Sequence, residues 1–417
     1  MTSSEISRDR EKLESKVVRT LAFAQILNGV GTAGTVAAGS LLVSSISHSE
    51  TLAGLAQTTA VLGAAAMAIP LSRLTRFGGR RFALSVGYLT GVVGAIIAII
   101  GGTNQKLFLM LMGTFLVGAA SAAGYQARFA AVDLASESSR SRKLSIVVWG
   151  STVGAVTGPN LMEPAGNIAE HLGLPRLVGP YLLAGATLAL ATGVIVIFLK
   201  PDPYLVAREF RSQVQLDGSQ IQPTESVGTL KTIRAISRQP RALFAISAIG
   251  IGHLVMVAIM VMTPVHMAHV DVTLSIIGLV ISVHVAGMYS LSPLIGYLSD
   301  RFGRVRTIQL GILILLAATL IAGKSPGNDA PSLALGLFLL GLGWSCTLIA
   351  GSTLLSEVVD EGSRTAAQGA SDLIMNLMGA GGGVMAGIVI SVLSYGWLCL
   401  FASVPVLALG VWTLRFK

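Results

Sequence analysis

Residues 252–270, GHLVMVAIMVMTPVHMAHV, hold four of the chain's 13 methionines and three of its six histidines. Met256 and Met260 lie four residues apart and share a helical face, which His253 joins from three residues earlier. After a turn near Val270-Asp271 comes IIGLVISVHVAGMYSLSP, where His284 and Met288 are again four apart. Counted from Val270, Met256 is fourteen residues before and His284 fourteen after; His253 is seventeen before and Met288 eighteen after. In an antiparallel hairpin each of these pairs shares a depth, roughly 20 Å below the turn. Thioether and imidazole form a soft ligand set that suits Cu(I) better than the oxygen-seeking cations. Methionine also fills irregular apolar gaps, but imidazoles at mid-membrane depth are costly and mark function. Met256, Met260, His284, Met288 and His253 are therefore the candidate metal ligands, with contact to a proton or an organic substrate as the alternative use. Met262, His266, Met267 and His269 lie nearer the turn and outline a path towards the cluster.

A second set of residues is charged. Asp372 is an acid inside an apolar stretch of the second half, and Arg128 a base inside one of the first. Both are candidates for proton coupling, because an ionisable group in a membrane helix needs a partner or a function. Gln25, Asn28, Tyr125, Trp149, Trp344 and Asn376 are candidate cavity contacts, able to stack on a solute or hydrogen-bond to it. No nucleophile–base constellation suggests an enzyme. Cys346 and Cys399 both sit in apolar segments and imply no disulfide framework.

These residues need elements to hold them in lipid. The chain has 417 residues, 53% hydrophobic and 12% charged, half the charge of an ordinary globular protein. A bilayer core needs about 20 apolar residues per helix, and twelve such stretches appear: 17–45, 51–72, 82–101, 107–134, 144–166, 178–199, 240–267, 273–299, 307–323, 332–355, 367–391 and 396–415. The reading is an all-α integral membrane protein. The polar amino-terminal segment 1–16 shows no cleavable signal. With it inside, 25 of the 29 lysines and arginines fall in cytoplasmic segments. This positive-inside bias accounts for the net charge of +9 and excludes a nucleic-acid partner. It predicts a multi-pass protein of the inner (plasma) membrane with both termini cytoplasmic, with the lipid bilayer as its surroundings.

Residues 200–239 are the one long polar stretch and divide six helices (17–199) from six (240–417). An internal repeat supports the division. GYLSDRFGRVR at 296–306 follows helix eight and SRLTRFGGRR at 72–81 follows helix two, with Phe77-Gly78 opposite Phe302-Gly303 at an offset of 225. Asp133 precedes Ser139-Arg140 as Glu357 precedes Ser363-Arg364, at an offset of 224. Gly296-x-x-x-Asp300-Arg301-x-Gly303-Arg304 resembles the loop motif of the major facilitator superfamily. The first copy keeps Arg76, Gly78, Arg80 and Arg81, with Leu71 at the place of the first glycine and Thr75 at that of the aspartate. The resemblance implies two pseudo-symmetric six-helix bundles around a central cavity, with alternating access. Arg76, Arg80, Arg81, Asp133, Asp300, Arg301, Arg304 and Glu357 would then form a cytoplasmic gate. Gly154-x-x-x-Gly158-Pro159 partly resembles the signature of the superfamily's exporters, and Arg128-x-x-x-x-Asp133-Leu134 the end of helix four in some of them.

Met256-x-x-x-Met260 with His284-x-x-x-Met288 resembles the signature of the CcoA-like copper importers within that superfamily. This implies a monomeric secondary carrier with no permanently bound cofactor, in which copper is the transported substrate. Two other functions stay open. One is proton-coupled efflux of drug-like organic compounds, against which the first helix offers Gln25 and Asn28 rather than an acid. The other is import of a flat nutrient such as riboflavin.

Overall fold

In lipid, an apolar run folds as a helix because a helix satisfies its own backbone groups without water. The computed structural model describes residues 3–48, 52, 55–216, 238–268, 270–272 and 274–416. Residues 1–2 of the amino-terminal segment, 217–237 of the polar linker, and His269 lie outside the described residues. The helices run in the order α1 (Ser3–Ser47), α2 (Leu55–Thr103), α3 (Leu107–Ala130), α4 (Arg140–Asn160), α5 (Met162–His171), α6 (Gly179–Phe198), α7 (Pro203–Leu216), α8 (Pro240–Ala268), α9 (Leu274–Tyr289), α10 (Ser292–Phe302), α11 (Arg304–Lys324), α12 (Ala330–Val358), α13 (Glu361–Val392) and α14 (Tyr395–Thr413). Ten helical spans among the described residues are long and apolar enough to cross a membrane. One of them, α2, holds two crossings, because Gly79 breaks it at φ 85° and ψ 178°. The 21-residue α4, with its basic first turn, supplies the twelfth.

Two of the expected spans break ahead of a proline, while Pro70, Pro264 and Pro405 are carried inside continuous helices. A proline ring clashes with the carbonyl four residues earlier and offers no N–H. Pro164 follows Asn160 by four, and α4 ends at Asn160. Pro293 follows Tyr289 by four, and α9 ends at Tyr289. Span five is thus α4 plus α5, and span eight is α9 plus α10. Packing depends on small residues, because apolar side chains gain nothing by leaving lipid and close van der Waals approach must hold the helices together. On α2 against α3, a Cβ added to Gly94 would lie 2.6 Å from the Val117 amide nitrogen.

The backbone corrects the register of the repeat. Gly79 and Gly303 (φ 100°, ψ 154°) both take left-handed φ angles that only glycine adopts readily. Gly79, not Gly78, is therefore the counterpart of Gly303. The offset becomes 224, the same as that of Asp133 and Glu357. Ser72 rather than Leu71 then stands at the place of Gly296, and Arg76 rather than Thr75 at that of Asp300.

The chain forms two compact units. One comprises Met1–Ser136, Ile146–Thr232 and Glu361–Leu373; the other comprises Glu137–Ser145, Ile233–Asp360 and Ile374–Lys417. The start of α13 thus belongs with the first unit, and the start of α4 with the second. In the first unit a Cβ on Gly369 would sit 2.6 Å from Ser72 Cβ; in the second, one on Gly296 would sit 2.7 Å from Ser145 Cβ. Ser72 and Gly296 are 224 apart, as are Ser145 and Gly369, so the same helix crossing is built twice with serine and glycine exchanged.

Candidate functional site

The first unit buries two guanidinium groups. Arg80, just past the Gly79 break, donates from Nε to Asp133 Oδ2 at 2.8 Å and from Nη2 to Asp133 Oδ1 at 3.2 Å. Its Nη1 reaches Gln126 Oε1 at 3.2 Å, and Nη2 also reaches Gln368 Oε1 at 2.7 Å. One turn beyond Gln368 on α13, Asp372 accepts from Arg128 Nη2 at 2.5 Å and from Gln126 Nε2 at 2.6 Å. Gln126 therefore joins the two pairs. Arg128 and Asp133, five residues apart in sequence, pair with Asp372 and Arg80 respectively. Arg128 also lies over the Phe129 ring at 4.7 Å and the Tyr125 ring at 5.8 Å, while its Nε and Nη1 are buried with no hydrogen-bond partner.

The second unit repeats the first pair. Arg304 donates from Nη2 and Nε to Glu357 Oε1, at 2.8 and 3.2 Å. Arg80–Asp133 and Arg304–Glu357 each span 53 residues, as the 224 offset requires. Asp300 lies 2.9 Å from Arg304 and caps the start of α4, accepting from the backbone N–H groups of Ser141 and Arg142 at 3.0 and 2.9 Å. Free N–H groups at a helix start favour a carboxylate. The first copy has Arg76 where Asp300 stands, so it has no such carboxylate. Arg81 offers its backbone N–H to Asp202 at 2.7 Å. Arg301 departs from the gate expectation. It is exposed, donates to the Tyr297 hydroxyl at 2.9 Å and lies over Phe302 of its own turn, outside the carboxylate cluster.

The methionine–histidine residues fall in the second unit on α8 and α9, but the hairpin expectation changes. The two helices pack mainly on α12 and little on each other. The His253 Nδ1 accepts from Trp344 Nε1 at 3.0 Å, and the His284 Nδ1 lies 2.7 Å from the Leu337 carbonyl. Leu337 and Trp344 are seven residues apart, about 10 Å along α12. An indole N–H can only donate, so His253 Nδ1 presents its lone pair and Nε2 carries the proton. While that bond holds, His253 has no lone pair for a metal. His284 has the opposite tautomer: a carbonyl only accepts, so Nδ1 carries the proton and Nε2 keeps its lone pair. That Nε2 is buried without a partner. Met256 and Met288 are buried and Met260 half-buried. His266 stacks on Tyr395 at 4.3 Å and its Nε2 lies 3.1 Å from the Ser325 carbonyl. Among the described residues no group of three or more His, Cys, Asp or Glu side chains forms a metal site.

Of the candidate cavity contacts, Gln25 and Asn28 lie together in the first unit. Gln25 Nε2 donates to Ser151 Oγ at 2.9 Å, while Gln25 Oε1 and Asn28 Oδ1 are buried with no partner. Trp149 is exposed and Tyr125 half-buried. Trp344, bonded to His253, is buried in the second unit, as is Asn376. Sequence reasoning missed Gln126, Gln368, Ser72 and Ser145. The signal for Gln368 was its position one turn before Asp372, on a helix face that also carries Thr365, Ser371 and Asn376.

The comparisons with known proteins agree with this architecture. The model of the Major Facilitator Superfamily matches residues 21–272 and 248–417. The MFS-type transporter YddS of Bacillus subtilis is 36% identical over 395 residues, covering 95% of this chain and 89% of that one. The riboflavin transporter RfnT of Brucella anthropi is 26% identical over 355 residues, covering 85% of this chain and 84% of its own. Among solved structures, the human organic anion transporter MFSD10 (TETRAN) has the same fold, with a TM-score of 0.74 at 15% identity over 96% of this chain and 99% of that one. With twelve spans, a doubled glycine turn and a doubled arginine–carboxylate pair, the chain belongs to the Major Facilitator Superfamily, a family of membrane transporters.

Proposed function

We propose that the chain is a proton-coupled carrier of a small organic solute, with Asp372 as the coupling acid and the basic loops on the cytoplasmic side. The observation that carries this reading is the buried Arg128–Asp372 pair, both side chains at most 2% exposed. Alternating access requires α13 to part from the helices of the first half on one side of the membrane. Breaking a buried ion pair leaves a charge uncompensated at a cost of about 3–5 kcal/mol. A proton on Asp372 removes one of the two charges and lowers that cost, which ties the movement to proton occupancy. The relationship to the riboflavin transporter RfnT supports an organic solute. The buried guanidinium of Arg128, with Nε and Nη1 unpartnered, argues against organic cations and so against efflux of cationic drugs. The test is uptake of riboflavin into proteoliposomes under an imposed pH gradient. Asp372→Asn is expected to flatten the pH profile while solute exchange without a gradient continues. An unchanged pH profile in that variant would remove Asp372 from the mechanism.

Copper uptake is the second reading. It is favoured by the His284 Nε2 lone pair, buried and unpartnered four residues from Met288. A neutral imidazole held in one tautomer by a carbonyl on its other nitrogen is the form that ligates metals. The copper ion is substrate here, and Met256, Met260, His284 and Met288 are its candidate ligands, without His253.

A further inference from the structure

We infer that Gln25, Asn28 and Arg128 together recognise the solute, and that this solute presents an imide or ureide edge, an N–H flanked by carbonyl oxygens. This deepens the organic-solute reading and rests on it. The inference starts from Gly124 on α3. A Cβ there would lie 2.6 Å from Asn28 Nδ2 and 3.0 Å from Gln25 Oε1, so both amides of α1 lie over this one glycine. Arg128 is four residues further along α3, on the same face, about 6 Å on. Asn28 is 4% and Arg128 2% exposed.

The unused hydrogen-bonding capacity of these groups is specific. Gln25 Oε1 and Asn28 Oδ1 are acceptors without a donor, and Arg128 Nε and Nη1 are donors without an acceptor. A buried polar atom left unpaired carries its full desolvation cost. Native structures leave few such atoms, and each calls for an explanation. Acceptors on α1 that lie over Gly124 and donors on Arg128, one turn further along α3, complement a group that carries both an N–H and C=O oxygens. The imide N–H would donate to the amide oxygens and a flanking carbonyl would accept from Arg128. Ser151 fixes Gln25 through its other amide atom, and Asp372 fixes Arg128 through Nη2, so the free atoms are held in place by the bonded ones. A simple carboxylate would satisfy Arg128 but leave both amide oxygens bare. An organic cation would face the guanidinium.

The test uses the full chain, purified in detergent, with riboflavin and N3-methylriboflavin as probes. Methylation keeps the flat ring and deletes the imide N–H. Riboflavin is expected to bind at least tenfold more tightly than its N3-methyl derivative, because a site built around a donor rejects the analogue that lacks it. Asn28→Leu and Gln25→Leu are each expected to weaken riboflavin about tenfold and to narrow the gap between the two probes. Equal binding of the two probes to the unaltered chain overturns the inference without any variant having to fold. So does failure of riboflavin to bind. The coupling reading fails separately: uptake indifferent to a pH gradient, with discrimination between the probes intact, would sink proton coupling and leave imide recognition standing.

Discussion

Asp133→Asn should destabilise the protein far more than Glu357→Gln, although the two acids are repeat counterparts. Arg80 and Asp133 are 1% and 5% exposed, whereas Arg304 and Glu357 are 10% and 23% exposed. In the first pair the amide can still accept one bond from Arg80, but the guanidinium keeps a buried charge beside the neutral Gln126 and Gln368, with Asp372 the next carboxylate, beyond Gln126. Breaking a buried pair in this way costs about 3 kcal/mol, the lower end of the usual range. In the second pair Asp300 still faces Arg304 at 2.9 Å, and the part-exposed pair is worth about 1 kcal/mol or less. The difference of about 2 kcal/mol is roughly thirtyfold in an unfolding equilibrium. Reversible unfolding in mixed detergent micelles would measure it. A double variant, Arg80→Met with Asp133→Leu, should recover most of the loss, since an apolar pair leaves no charge behind. Equal losses in the two single variants would refute the argument, as would a double variant no better than Asp133→Asn.

Asp300→Ala should slow transport by removing the carboxylate from the α4 start, while Arg301→Ala, whose side chain rests on its own turn, should leave turnover within about twofold; similar slowing in both would return Arg301 to the gate. For the copper reading, Met256→Leu, Met260→Leu and Met288→Leu nearly conserve volume and delete only the sulfur, so lost copper accumulation with normal insertion would support a thioether site. Full copper uptake in a Met256→Leu, Met260→Leu double variant would exclude it.

Much of this was legible in the sequence, for reasons that differ by element. The spans follow from apolar length, which lipid enforces strictly. The helix breaks at Asn160 and Tyr289 fall four residues before Pro164 and Pro293, but Pro70, Pro264 and Pro405 lie inside continuous helices, so a proline alone did not mark where a span would break. The register of the first loop was legible only in part. Gly78 and Gly79 are adjacent glycines; the 224 offset of Asp133 and Glu357 points to Gly79, and the backbone dihedral shows that it is the one that turns. The depth argument for Met256 and His284 assumed that consecutive helices pack side by side. In the structure α12 takes both, a long-range choice that no local pattern records. The pairing of Asp133 with a loop arginine was legible from the repeat, whereas the partner of Arg128, Asp372, lies 244 residues away and no local pattern records it.

The two units use the same repeat unequally, and the inequality bears on coupling. In the second unit Arg304 faces two acids, Asp300 and Glu357, and Asp300 also holds backbone N–H groups. Neutralising either acid leaves the other in place, so one proton cannot release that cluster. In the first unit, Arg76 replaces the counterpart of Asp300, and Arg128 pairs with the single carboxylate of Asp372. One proton there changes the charge balance of the whole contact. The same guanidinium still has Nε and Nη1 to offer a solute. On the proposed reading, proton and solute therefore meet at Arg128: protonation weakens its hold on Asp372, and a solute carbonyl replaces part of what is lost. A carrier built this way moves α13 at least cost when both are bound, which is the condition for transport in step with protons.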